Sequence, residues 1–157
     1  MPIQHIFAGN PLDRGERERR DEEWIKDQIN NPTSKFLPIW ESRVLVSFQE
    51  PLRLGWLDSD QLSNAKSDST PFLLGMLDNS TYFTIDISKT TQSAEYIENL
   101  TDYTFEDSRT AAEALDLEET GILAQARAQI NWHARHGFCS VCGNETSVER
   151  GGQKREC

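Results

Sequence analysis

The first 138 residues of this 157-residue chain contain no cysteine. A secreted disulfide framework spreads its half-cystines through the body, so this distribution excludes one and predicts a reducing, cytoplasmic setting. No apolar run approaches the length that crosses a bilayer. The start, Met1-Pro-Ile-Gln-His-Ile6, lacks the pattern of a secretory signal. Positive charge is scarce: 16 Lys and Arg stand against 26 Asp and Glu, a net charge of -10. That balance leaves no electrostatic footprint for a nucleic-acid backbone. There is no G-x-S-x-G elbow and no glycine loop of the kind that cradles phosphate, so neither nucleophilic hydrolysis nor P-loop chemistry has a foothold. The length suits one domain with a buried core and a small appendage.

What the chain does have is concentrated at its end. Cys139 and Cys142 form a C-x-x-C knuckle within Phe138-Cys-Ser-Val-Cys-Gly143, and Cys157 follows after Gly151-Gly152. Two thiolates two residues apart grip one tetrahedral ion from a tight turn, and a short hairpin brings the rest of the ligands. Cys139, Cys142 and Cys157 are therefore read as three of the four ligands of a structural zinc ribbon. We expect the fourth beyond Cys157, in a chain cut short here. A redox C-x-x-C ordinarily opens a helix after a strand. This one follows a helix and a glycine, so metal ligation is the preferred reading. His133 and His136 are the competing donors, and packing or capping is the simpler role for both.

The body reads as α+β, a mixed or antiparallel sheet with flanking helices. Asp13 and Glu16 have the spacing of a capping box for an early charged helix that ends at Asn30-Asn31-Pro32. The block Glu16–Glu23 mixes both signs and reads as a solvated face. From Phe36 to Ile87 the pattern is β. Arg43–Phe48 is β-branched and aromatic, Leu52–Leu57 alternates, and Pro71–Leu77 with Thr81–Ile87 flanks a turn at Asp78-Asn79-Ser80, placing Phe83, Ile85 and Ile87 on one face. The stretches Ser59–Thr70 and Ser88–Thr101 carry weak signals and read as loops, the first with at most one helical turn. Residues 108–115 predict two helical turns. Asp116, with Glu119 at the capping-box position, then opens a helix reaching about His136, with Ile122, Leu123, Ala126, Ile130 and His133 as its packed stripe and Gly137 as its stop.

Three segments together carry a family resemblance. Ala124-Gln-Ala-Arg-Ala128, the run Trp132-His133-x-x-His136-x-Phe138-Cys139-x-x-Cys142-Gly143-x-x-Thr146, and Gly151-Gly152-x-x-Arg155-x-Cys157 resemble the NADH pyrophosphatase branch of the Nudix hydrolases. Asn10-Pro-Leu-Asp-Arg14, Leu74-Gly75 and Phe105-Glu-Asp-x-Arg109 are similar too, so the likeness runs through essentially the whole chain. It implies an N-terminal Nudix-like domain over residues 1–136 and an incomplete zinc ribbon over 137–157, with the catalytic Nudix domain absent from these residues. It further implies that the intact protein hydrolyses the diphosphate of NADH or NAD+ to a mononucleotide and AMP. Mg2+ or Mn2+ would serve in the missing catalytic half, Zn2+ in this half, and the intact protein would be a homodimer.

Glu118-Glu119-Thr-Gly-Ile122 matches the end of the Nudix signature, and Glu106 lies at a suitable distance upstream. The arginine and glutamate that should precede it are Ala114 and Leu115, and the opening glycine is Leu100. Glu118 and Glu119 are therefore read as first-turn acids favoured by the helix dipole, not as a metal cluster. The leading expectation is an accessory half of an NAD(H) diphosphatase, inactive alone. The alternatives are a stand-alone zinc-ribbon interaction module and an enzyme built on Glu118 and Glu119.

Overall fold

The computed structural model describes residues 5–48, 50–65, 69–89, 91–100 and 102–157. Along the chain run α1 (Glu22–Ile29), β1 (Lys35–Trp40), β2 (Arg43–Ser47), β3 (Arg53–Leu54), α2 (Ser59–Asn64), β4 (Phe72–Leu77), β5 (Ser80–Asp86), α3 (Thr91–Glu98), β6 (Tyr103–Asp107), α4 (Ser108–Ala114), α5 (Leu117–Arg135), β7 (Ser147–Glu149) and β8 (Lys154–Glu156). The first six strands form one mixed sheet in the order β3-β2-β1-β5-β4, with β6 along the other edge of β2. Among the described residues β1 and β5 are the parallel pair, and the other pairs of this sheet are antiparallel. This is the α+β arrangement expected.

Alternation along the strands builds two cores, one on each face. Leu37, Ile39, Val44, Val46, Phe72 and Leu74 point to the side covered by α4 and α5, where Ala111, Ile122, Leu123, Ala126 and Ile130 meet them. Phe36, Leu45, Leu73, Phe83 and Ile85 point to the opposite side and pack with Ile25 of α1 and with Ala94 and Ile97 of α3. Phe36 and Phe83, neighbours across the parallel pair, stack with centroids 5.3 Å apart. The β4–β5 hairpin turns on Asp78 and Asn79, both at positive φ (48° and 63°), the conformation a two-residue hairpin loop requires. The expected Phe83, Ile85 and Ile87 face is buried as one set.

Several expectations need correction. The early helix starts at Glu22, not near Asp13. Asp21 caps it, accepting from the amides of Glu23 and Trp24, while Asp13 accepts from Gly15. The charged block is not wholly solvated, because Arg19 is buried at 2% exposure. Its guanidinium donates to the carbonyls of Arg14, Leu73 and Leu74, fastening a short 3-10 turn (Glu18–Arg20) to β4. Mixed charge hides such a residue, since nothing in the local pattern separates one inward arginine from its exposed neighbours.

Both stretches read as loops contain helix. Asp58 and Gln61 form a complete capping box at the start of α2, and α3 buries Ala94 and Ile97. Residues 66–68, 90 and 101 of those stretches, like residues 1–4 of the N-terminus, lie outside the described set. The alternating Leu52–Leu57 segment splits into two short pairings, β3 with β2 and a lone bridge from Leu57 to Phe36. Helix α5 ends at Arg135 with His136 as its cap. The helix thus stops immediately before Gly137, as expected, although Gly137 itself has no positive φ.

Candidate metal centre

Helix α5 delivers the chain to the cysteines. Past His136 the backbone turns back on itself: the amide of Thr146 donates to the carbonyl of Gly137 at 2.9 Å, and that of Cys139 to Asn144 at 2.7 Å. Inside this loop the Gly143 amide donates to the Cys139 carbonyl at 2.9 Å, with Gly143 in the left-handed region (φ 74°). The result is a tight knuckle holding Cys139 and Cys142. Strands β7 and β8 then pair Ser147 with Glu156 and Val148 with Arg155, which carries Cys157 back alongside it.

The three Sγ atoms lie within 4.8 Å of one another, and those of Cys142 and Cys157 are 3.2 Å apart. All three thiols are free; Cys139 is half-buried and the other two are exposed. Sulfurs around one tetrahedral ion at about 2.3 Å stand roughly 3.8 Å apart, so the cluster is of the right size for a shared metal. The amides of Cys142 and Val141 hydrogen-bond to the Cys139 sulfur and, with the neighbouring thiols, bring its pKa down to about 7. Hydrogen bonds with Cys142 and Cys139 push the Cys157 thiol up to about 11. Cys139 is thus prepared as a thiolate near neutral pH, the form that ligates metal.

The cluster is tied to the body through His133. Its ring is buried, stacked on Phe72 with centroids 3.8 Å apart, and contacts the Gly152 carbonyl through Nε2 at 2.7 Å. Nδ1 faces the Arg155 guanidinium at 2.8 Å. Arginine only donates, so Nδ1 accepts and Nε2 carries the proton. Burial lowers the His133 pKa, opposed by the Gly152 carbonyl and reinforced by the charges of Arg155 and His136. Arg155 also donates to both oxygens of Thr146, at 2.7 and 2.8 Å. His136 instead donates Nδ1–H to the Trp132 carbonyl at 2.7 Å and stacks on the Trp132 ring. Neither histidine joins the cysteine group. Gly152 sits at φ 90° against Phe72, where a Cβ would come within 2.8 Å of the ring.

The glutamates of the partial Nudix motif do not converge. Asp116 caps α5 through the Glu119 amide at 2.9 Å, but the Glu119 carboxylate does not complete the capping box. Oε1 accepts from the Leu54 amide at 3.2 Å, and Oε2 lies 3.8 Å from Arg53 Nη1. That oxygen is buried without a hydrogen-bond partner among the described residues. Burial, aided by the charges of Asp116 and Glu118, raises Glu119 to about 7, against the Leu54 amide and Arg53. Burial outweighs the helix dipole here. Glu106 stands on β6, accepting from the Asp107 amide. Among the described residues the three cysteines are the one group of His, Cys, Asp or Glu close enough to share an ion. The residues present do not fit the divalent-cation cluster of a Nudix reaction.

Comparison with known proteins agrees with this architecture. The chain is 26% identical, over 185 aligned positions, to the NAD-capped RNA hydrolases NUDT12 of Macaca fascicularis and Homo sapiens, and 25% identical to that of Pongo abelii. Each alignment covers 98% of this chain and 40% of the relative, so the chain spans about two fifths of their length. The family described as NADH pyrophosphatase-like rudimentary NUDIX domain matches residues 33–132, from the start of β1 to the last turns of α5. The chain belongs to that family.

Proposed function

We propose that these residues are the accessory portion of an NAD(H) diphosphatase, a Nudix-like domain over 1–136 followed by part of a zinc ribbon over 137–157. Its catalytic Nudix domain lies outside the 157 residues. The observation that carries the reading is the pairing of a metal-sized thiol cluster at the end of α5 with the dispersal of Glu106, Glu118 and Glu119. Cys139, Cys142 and Cys157 hold Zn2+, with a fourth ligand from elsewhere. The ion supplies a cross-link: it ties the knuckle after α5 to the end of β8 and so fixes the direction in which the chain leaves this domain. The similarity to proteins named NAD-capped RNA hydrolases supports an NAD-related substrate class for the whole protein; its further reading as an NADH or NAD+ diphosphatase, a cytoplasmic homodimer with Mg2+ or Mn2+ in its catalytic half, rests on the sequence resemblance alone.

The test combines zinc content with NADH hydrolysis by this chain in Mg2+ or Mn2+. The expected result is bound zinc with three sulfurs in its X-ray absorption shell and no turnover. Turnover that disappears in Glu118→Gln and Glu119→Gln would overturn the reading and place an active site on α5. Phe138 and Val141, 67% and 92% exposed beside the knuckle, favour a second reading as an interaction module. Under that reading the zinc shell would be filled by four ligands of this chain.

A further inference from the structure

Cys142 and Cys157 are the two exposed thiols of the cluster, and their sulfurs are 3.2 Å apart. That is closer than the roughly 3.8 Å that two sulfurs keep around one zinc ion. The approach is built from both sides. The Gly143 amide closes the knuckle onto the Cys139 carbonyl, and the Thr146 amide closes the loop onto Gly137. The β7–β8 register, Val148 with Arg155 and Ser147 with Glu156, then brings Cys157 in opposite Thr146. Arg155 fastens that end, donating to both oxygens of Thr146 at 2.7 and 2.8 Å.

Cys139 is placed differently. It is half-buried, and its sulfur accepts from the Val141 and Cys142 amides. A bond from it to Cys142 would lie within one turn and join nothing else. A bond between Cys142 and Cys157 spans fifteen residues and joins the knuckle to the end of β8. A covalent S–S bond is about 2.0 Å long, so the two sulfurs need to close by roughly 1 Å.

We propose that Cys142 and Cys157 are an oxidative modification site, a reversible disulfide that hydrogen peroxide forms when no metal holds the thiols. One sulfur of the pair attacks the peroxide: an S–O bond forms, the O–O bond breaks, and water leaves with the thiol proton. The second sulfur attacks the resulting sulfenic acid. The S–S bond forms, the S–O bond breaks, and a second water leaves with the second thiol proton. The two sulfurs together give up two electrons, and the peroxide oxygens take them. A small thiol restores the pair through a mixed disulfide. The bond joins the same two points that a bound ion would join, so the oxidised hairpin stays closed while two of its three metal ligands are withdrawn. The proposal goes beyond the metal reading and holds whether or not the cluster takes zinc.

The experiment treats the reduced chain, kept in a chelator, with hydrogen peroxide, and reads intact mass and disulfide-linked peptides. The expected product is a monomer lighter by two hydrogens, with Cys142 bonded to Cys157, and dithiothreitol returns it to the starting mass. In Cys139→Ser the remaining cysteines are Cys142 and Cys157, and the bond should form within about twofold of the parent rate. In Cys142→Ser an intramolecular bond should form at least about tenfold more slowly. Urea should remove the preference, because in the unfolded chain the shorter Cys139–Cys142 loop closes more easily. Bonding of Cys139 to Cys142 in the folded chain, bonds found only between two chains, sulfinic acid in place of a disulfide, or Cys142→Ser reacting as fast as the parent would overturn the proposal.

Discussion

Arg155 donates to Nδ1 of His133 at 2.8 Å, linking the strand that runs into Cys157 to the last turns of the helix that leads to Cys139. The pair fixes the His133 tautomer, and that tautomer allows Nε2–H to reach the Gly152 carbonyl at 2.7 Å. One neutral imidazole therefore joins α5, β8 and the Gly151-Gly152 turn. His133→Ala should remove the Phe72 stack and both hydrogen bonds, at about 2–4 kcal/mol of stability. Urea unfolding measures this. Because the folded pKa lies below the ordinary value of 6.5, the unfolded chain takes up the proton first on acidification. Stability from His133 is thus fully present above about pH 6.5 and falls below it, and the pH slope through that window should flatten in the variant.

Gly152 gives a second, steric handle on the same junction. A side chain there would adopt φ 90° and bring Cβ within 2.8 Å of Phe72, itself clasped against His133. Neither the backbone nor the ring has room to yield. Gly152→Ala should cost about 2–4 kcal/mol, whereas Gly137→Ala, where an added Cβ meets nothing within 4 Å, should change stability by less than about 0.5 kcal/mol. Parallel thermal melts of the two variants check the contrast.

The sheet and the last helix were legible because their signals are local. Val44, Leu45 and Val46 alternate between the two cores, the Asp78-Asn79 turn separates two apolar runs, and the α5 stripe recurs at helical spacing. The cysteine cluster was legible for the same reason, since C-x-x-C spacing defines its own turn. Arg19, α3 and β6 were not. Arg19 is inward only because the carbonyls of Leu73 and Leu74, more than fifty residues on, are turned toward it. Helix α3 buries Ser93, Ala94 and Ile97, and one of these three is polar, which leaves too few apolar positions to set a period; β6 is recruited by pairing along the whole of β2. The Glu41-Ser42 hairpin, with φ of 48° and 70°, uses residues that do not announce a left-handed turn.

If the thiol cluster binds zinc, the loss of one ligand should be felt in affinity before fold. Cys157 sits at the end of β8 and is exposed, so Cys157→Ser leaves the His133 junction untouched. Zinc affinity should fall by at least about tenfold in a chelator competition, while the far-ultraviolet circular dichroism stays that of the parent. Cys139→Ser should fall further, since it removes the sulfur that the Cys142 and Val141 amides prepare as a thiolate. Cobalt substitution supplies the independent readout: sulfur-to-metal charge-transfer absorption should weaken in both variants. Unchanged affinity in both would remove the cysteines from the metal site.

Glu119 makes a prediction of opposite sign to the usual carboxylate. Its pKa is raised from 4.5 to about 7, so between those values the folded chain holds a proton that the unfolded chain has released. Stability then falls as pH rises from about 4.5 to about 7 and is flat in this respect above it. The cause is a carboxylate with one oxygen on the Leu54 amide and the other buried beside an Arg53 that is already 2.7 Å from Asp116. Glu119→Gln keeps an acceptor for Leu54 and cannot ionise. Relative to this variant, the parent should lose stability progressively across pH 4.5–7, read as a widening gap in urea midpoints. A gap that is constant with pH would mean that Glu119 ionises in the folded chain as readily as in the unfolded one, with Arg53 compensating the burial in full.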